Sequence, residues 1–176
     1  MQKIKKLDAE FFDRDCLVVA PDLIGKILVH KLPDGTELRE RITETEAYRG
    51  EEDEACHAHK GRTGRSEMLY HASGTIYVYL CYGTNHMMNV VTGEKDHPQG
   101  ILFRAGEFHK GPGRLTKALQ ITKPLNGQCI VNNPELWIED DGEFHSWHTA
   151  KRVGIDYAGE IWKNKPWRWV MDEPEL

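Results

Sequence analysis

Hydrophobic and polar positions alternate over long stretches of this chain, and the alternation predicts more strand than helix. Residues 26–32 are rich in Ile, Leu and Val. Pro33-Asp34-Gly35 is a turn signal, and a second extended run follows over about 36–48, so the two form a hairpin. The run GTIYVYLCY (74–82) is the densest strand signal. Gly83-Thr84-Asn85 turns the chain, and residues 86–91 return as its partner. Residues 101–104 read as another short strand, with further strands near 128–131, 136–139 and 151–155. Helical signals are few. Asp15 caps a helix running to about Ile24, and Gly25 ends it. Gly111-Pro112-Gly113 opens a second helix, with Leu115, Ala118 and Leu119 on one face. The polar stretch 49–73, with three glycines and three histidines, reads as a long structured loop. The sum is an α+β fold: one mixed domain over 1–176, with a mostly antiparallel curved sheet, flanking helices and a protruding β-hairpin.

Composition narrows this picture. The 176 residues suffice for one domain with a substantial core, and no linker, repeat or low-complexity tract interrupts them. Three of the five tryptophans (Trp162, Trp167, Trp169) lie near the end, so that end is expected to pack down. The opening MQKIKKLDAEFF has no apolar stretch behind its basic residues, so no secretory signal is expected there, and no apolar run is long enough to span a bilayer. Cys16, Cys56, Cys81 and Cys129 are far apart and form no Cys-x-x-Cys pair. They read as reduced thiols of a cytoplasmic, bacterial-type protein. A net charge of −5 counts against nucleic acid as a partner, since phosphate binding is driven by Lys and Arg. The stretch 104–123 weakens the objection: it carries Arg104, Lys110, Arg114, Lys117 and Lys123 against the single acid Glu107.

Glu44, Glu46 and Tyr48 alternate, so their side chains leave one face of a strand. A carboxylate beside an aromatic ring can sit beneath a flat substrate, although spacing alone fits a solvated acidic edge more simply. In 74–82, Ile76, Val78 and Leu80 form an aliphatic face that belongs in the core. Tyr77 and Tyr79 form an aromatic face that either stacks on bases or covers the sheet. Tyr82, beside the hairpin turn, is placed either to wedge between base pairs or to pack on a neighbouring loop. His57 and His59 form His-x-His after Asp53 and Glu54, which on an extended chain offers two metal ligands, with no third and fourth at a recognisable spacing. Gly-Pro-Gly before a helix presents free N–H groups to a phosphate, or is simply a turn.

The order of these segments is more informative than any one of them. RITETEAYRGEEDEACH (41–57), GTIYVYLCYGTNHMMNV (74–90), ILFRAGE (101–107) and GPGRLTKAL (111–119) stand in one line. Together with DLIGKILVHKLPDGTEL (22–38) and RVGIDYAGEIWKNKPWRW (152–169), this series resembles the alkyladenine (3-methyladenine) DNA glycosylase family over nearly the whole chain. The resemblance implies a monofunctional enzyme that flips damaged purines out of double-stranded DNA and hydrolyses their glycosidic bond. By the same resemblance Glu46 is the general base and Arg104 helps hold the attacking water. Tyr48, His57 and Tyr79 enclose the flipped purine, Asn89 crowds the 2-amino group of guanine, and Tyr82 fills the gap left in the duplex. Gly113, Arg114 and Lys117 fall where the DNA backbone would be met. No lysine lies in the matched active-site motifs, so no Schiff base and no strand cutting are expected. No metal or organic cofactor is implied, and a monomer acting on the nucleoid is. Two readings compete: a nucleic-acid binding module without catalysis, and a metallohydrolase using Asp53, His57 and His59. Departures from the family are a short 105–110 segment where it usually has a sizeable insertion, a short 91–101 segment, and His86 where another aromatic is usual.

Overall fold

The computed structural model describes residues 3–174. Among these residues nine strands, every pair antiparallel, form the sheet: β1 (Lys5–Lys6), β2 (Ile27–Lys31), β3 (Glu37–Arg49), β4 (Ile76–Cys81), β5 (Asn85–Val91), β6 (Gln99–Gly106), β7 (Leu136–Asp140), β8 (Trp147–Ala150) and β9 (Arg168–Met171). Their order is β1-β7-β2-β3-β6-β5-β4. β3 is long enough to serve two neighbourhoods: its first half pairs with β2, and Glu44–Glu46 pair with β9, while β6 runs along it from Ile42 to Arg49. An irregularity in the β3–β6 register between Ile42 and Thr45 falls between the two halves.

Short helices among the described residues accompany the sheet: α1 (Ala9–Phe12), α2 (Cys16–Leu23), α3 (Pro112–Ala118) and α4 (Glu160–Lys163). The expected cap is present, since the Asp15 carboxylate accepts the Leu17 N–H at 2.9 Å, and Gly25, at φ +90°, follows the helix end. The expected loop 49–73 contains two single-turn 3-10 helices, His57–Lys60 and Glu67–Tyr70.

Alternation along the strands sorts the two faces of the sheet. Ala47, Ile76, Val78, Met88, Val90, Ile101 and Phe103 point into the main core against residues of α2 and α3. Their neighbours, Glu46, Tyr48, Tyr77, Tyr79, Asn89, Leu102 and Arg104, point the other way. Leu80 departs from the expected aliphatic face: at the strand end it has left the core and is 46% exposed. Trp169 joins the main core and Trp167 packs against it, so the C-terminal stretch is held down as its tryptophans predicted.

Two expected strands are absent. Residues 128–131 form one isolated bridge, Cys129 to Thr75 just ahead of β4, because Pro124, Gly127 and Asn132 (φ +57°) keep the segment irregular. The chain here still covers the β4 edge, with the Gln128 carbonyl accepting the Ile76 N–H at 2.8 Å and Asn126 Oδ1 accepting the Val78 N–H at 2.9 Å. Residues 151–155 form no strand either. Strand β8 stops at Ala150, and the chain then crosses the open face of the sheet. The turn after β4 starts one residue earlier than expected, so Tyr82 stands within it.

Candidate active site

The face turned away from the main core carries one row of side chains across five strands. Register places Tyr77 opposite Asn89, Asn89 opposite Leu102, Leu102 opposite Glu46, and Glu46 opposite Arg168. Above this row the 49–73 loop and residues 153–157 enclose a cavity of about 550 Å³. Its walls include Tyr48, His57, Tyr77, Tyr79, Asn89, Arg104, Val153 and Tyr157, with Tyr82 at its margin. Gly100, opposite Tyr48, keeps the floor low, for a Cβ there would meet Leu69 at 3.0 Å.

Glu46 is fully buried and lies just behind the cavity wall. Its Oε1 accepts from Arg104 Nη1 and from the Tyr48 hydroxyl, each at 3.2 Å, and its Oε2 accepts the Val153 N–H at 2.7 Å. Burial pushes its carboxyl above the ordinary range, against the pull of the Arg104 charge and the Val153 N–H. Glu44 Oε1 takes Arg104 Nε at 3.3 Å and Arg168 Nη1 at 2.8 Å, so Arg104 is shared between two carboxylates. This role for Glu44, and Arg168 itself, are absent from the sequence reading, because β9 gave no strand signal.

His57 has a defined tautomer. The Tyr77 hydroxyl donates to the Arg65 carbonyl at 2.8 Å, so it accepts from His57 Nδ1–H, also at 2.8 Å. The Nε2 lone pair is left toward Arg65 Nη2 at 3.4 Å. Burial first, and the Arg65 charge second, lower the His57 pKa to about 4, so the ring is neutral at physiological pH. Its ring meets Tyr79 edge-on at 4.8 Å between centroids, and Tyr77 and Tyr79 lie 5.1 Å apart. Asn89 is buried and donates Nδ2 to the Tyr77 carbonyl at 3.2 Å.

The metal reading of Asp53, His57 and His59 fails on the state of the ligands. His57–Lys60 is a 3-10 turn, so the two histidines do not share an extended strand. His59 Nδ1 is engaged with the Glu51 carbonyl at 2.7 Å, and Asp53 forms a buried fork with Arg152 at 2.7 and 2.9 Å. Among the described residues no group of three or more His, Cys, Asp or Glu is placed to hold a metal ion. No local pattern singled out Arg152 and Val153 as site residues, since their partners Ala47, Asp53 and Glu46 lie about a hundred positions away.

Tyr82 is 96% exposed with φ +52°, a bulky side chain held out from the hairpin on a left-handed backbone. Gly113, Arg114 and Lys117 stand outside the cavity on α3, with Arg114 and Lys117 exposed. That helix braces the hairpin. A Cβ on Gly113 would lie 3.0 Å or less from the Asn85 side chain, and the Thr116 hydroxyl donates to the His86 carbonyl at 2.8 Å. Residues 105–110 form a tight turn: the Gly106 N–H bonds the His109 carbonyl and the Gly111 N–H bonds the Arg104 carbonyl, each at 2.9 Å. The Glu40 carboxylate, paired with His109, fills the space under Gly106.

Comparison with known proteins identifies the family of the chain. The model of the family described as methylpurine-DNA glycosylase (MPG) matches residues 10–111 and 107–175, and its two pieces meet at the tight turn. A protein of Natranaerobius thermophilus, named a candidate 3-methyladenine DNA glycosylase, is 42% identical, covering 96% of this chain and 97% of its own. One of the same name from Desulfitobacterium hafniense is 40% identical, covering 98% of each, and one from Methanocella arvoryzae is 41% identical, covering 92% and 90%. The first two alignments run over 194 and 200 positions, more than the 176 residues available, so those relatives carry insertions that this chain lacks. With the family model spanning nearly the whole sequence and relatives 40–42% identical over almost their full length, the chain belongs to the methylpurine-DNA glycosylase (MPG) family.

Proposed function

We propose that this protein excises alkylated and deaminated purines, of the 3-methyladenine, hypoxanthine and ethenoadenine class, from double-stranded DNA. The observation that carries the reading is the joining of an aromatic cavity of about 550 Å³ to a buried carboxylate–arginine pair, Glu46 and Arg104, on one face of the sheet. A purine inside a duplex cannot present its glycosidic bond, so the nucleotide must swing into the cavity first. Tyr48, Tyr79 and His57 supply flat surfaces for it, and stacking on tyrosine favours an alkylated, cationic base over a neutral one. Asn89, fixed by the Tyr77 carbonyl, excludes the 2-amino group of guanine by bulk.

Hydrolysis needs a water on the sugar side of the base. The Glu46–Arg104 and Glu46–Tyr48 contacts are both long at 3.2 Å. A water entering between Arg104 and Glu46 meets one donor and one acceptor. Ionised Glu46 takes the water's proton as its oxygen bonds to the anomeric carbon, and the carboxylate's charge stabilises the positive charge developing on the sugar. The purine leaves with the bonding pair, already cationic when alkylated. Among the described residues no lysine lines the cavity, which supports a monofunctional reaction ending in an abasic site. Tyr82 occupies the vacated stack, and Gly113, Arg114 and Lys117 meet the phosphates beside the hairpin they brace.

The test is base release from duplexes carrying one hypoxanthine or ethenoadenine, and from alkylated genomic DNA, at low salt. Free base with strand breakage only after alkali supports the reading. Binding without release from any of these substrates supports the binding-module alternative, to which the net charge of −5 and the shortened loops lend weight.

A further inference from the structure

The strongest unused feature of the molecule is the buried ion pair between Asp53 and Arg152, whose side chains are both fully buried. We infer that Arg152 is a positioning residue that aims the Val153 N–H at Glu46 and supports the Tyr48 ring, with Asp53 as its anchor.

The guanidinium is tied to three parts of the chain. Nη1 donates to Asp53 Oδ2 at 2.7 Å and to the Ala47 carbonyl at 3.0 Å. Nη2 donates to Asp53 Oδ1 at 2.9 Å and to the Trp162 carbonyl at 3.2 Å. It also lies 5.0 Å from the ring centroids of Tyr48 and Trp167. Ala47 sits on β3 between Glu46 and Tyr48. The next residue along the chain from Arg152 is Val153, whose N–H meets Glu46 Oε2 at 2.7 Å although the residue is 45% exposed. Asp53 in turn accepts the Arg49 N–H at 2.9 Å and the Ala55 N–H at 3.0 Å, fixing the loop that carries His57 two residues further on. One pair therefore fixes the base, one aromatic wall and the histidine loop together.

Stability alone does not account for the pair. Desolvating two charges consumes most of their attraction, and a buried ion pair is a poor source of net stability compared with apolar packing. Arg152 Nε is also buried with no hydrogen-bond partner among the described residues. The fork geometry, which only arginine supplies, is what holds the 152–154 turn in place.

Other groups facing Glu46 are Tyr48 on β3, Arg104 on β6 and Arg168 on β9, with Glu44 sharing Arg104. Arg152→Lys keeps every one of these residues and the positive charge while removing the fork, so it isolates the geometry. The inference rests on the glycosylase reading for its meaning, but its first readout does not depend on activity. In carboxyl-carbon NMR of folded protein, the Glu46 titration in Arg152→Lys is expected to move up by about one pH unit, the effect of losing one good N–H donor to a carboxylate. Val153 amide exchange is expected to quicken. The acid limb of single-turnover excision moves with it, lowering the rate on that limb about tenfold. A lowered rate with the Glu46 titration and Val153 exchange unchanged would make Arg152 a stability residue and overturn the inference. Should Arg152→Lys fail to fold, Asp53→Asn is read by the same two signals with the same outcomes. A shifted titration in a protein whose wild type excises nothing would reject the glycosylase reading while upholding the positioning.

Discussion

Arg104 Nη1 lies 3.2 Å from Glu46 Oε1 across the β3–β6 pairing, and the same guanidinium reaches Glu44 through Nε at 3.3 Å. Arg104 thus neutralises two carboxylates at once, only one of which is fully buried. Replacing it with alanine leaves Glu46 with less counter-charge and removes a donor for the water. Excision of hypoxanthine in single turnover is expected to fall by about 10²-fold or more. Glu44→Gln keeps Arg104 beside Glu46 and is expected to cost far less. Equal losses would mean that Arg104 acts through the whole cluster rather than on Glu46.

Tyr82 combines a left-handed backbone with near-complete exposure, so the fold gains little from its ring. Tyr82→Gly relieves the backbone and is expected to raise stability by up to about 1 kcal/mol in chemical denaturation. The same variant is expected to bind lesion-containing duplex more weakly, since nothing fills the gap left by the flipped base. A variant with lower stability and unchanged DNA affinity would contradict the assignment of Tyr82 as a wedge.

Two titrations are expected to leave different marks. Glu46 must be ionised to accept a proton, and burial raises its pKa, so excision of a neutral lesion rises with pH along a limb above 4.5, the ordinary glutamate value. His57 contributes no limb near 6.5, because it is neutral in the fold down to about pH 4. Its effect is on stability. Between pH 6.5 and about 4 the unfolded chain holds a proton that the folded chain does not. The stabilisation due to neutral His57 is therefore complete above that window and lost as the pH falls through it. Denaturation midpoints of wild type and His57→Gln across this range check the sign: the difference should narrow as the solution is acidified.

Arg114 and Lys117 are exposed on α3, and among the described residues neither takes part in an ion pair. Each is expected to contribute one phosphate contact. Alanine at either position should reduce the slope of log affinity against log salt by about one without changing which lesion is preferred. An unchanged slope would remove α3 from the DNA face.

Local alternation revealed most of the sheet and its two faces. Ile76 and Val78 against Tyr77 and Tyr79 predicted a core side and an aromatic side, and both are present. Glu46, Arg104, Tyr48, His57, Tyr79, Asn89 and Tyr82 were named through the family resemblance, and the structure gathers them at or just behind one cavity. What was not legible depends on contacts between distant positions. The apolar residues of 151–155 resembled a strand, yet the segment's backbone serves Glu46 instead of a ladder. Asp53 and the two histidines resembled a metal set because their spacing says nothing of Arg152, 99 positions away, or of the 3-10 turn that separates His57 from His59. Strand β9 is four residues held by cross-strand partners, too short for a local pattern.

The central claim is that Glu46 activates the water. Single-turnover excision from a hypoxanthine duplex at low salt, comparing wild type with Glu46→Gln, tests it most directly, with lesion binding measured on the same preparations. The account predicts base release by the wild type, a loss of about 10²-fold to 10⁴-fold in the variant, and retained affinity for the lesion duplex. Release by Glu46→Gln at the wild-type rate would contradict it.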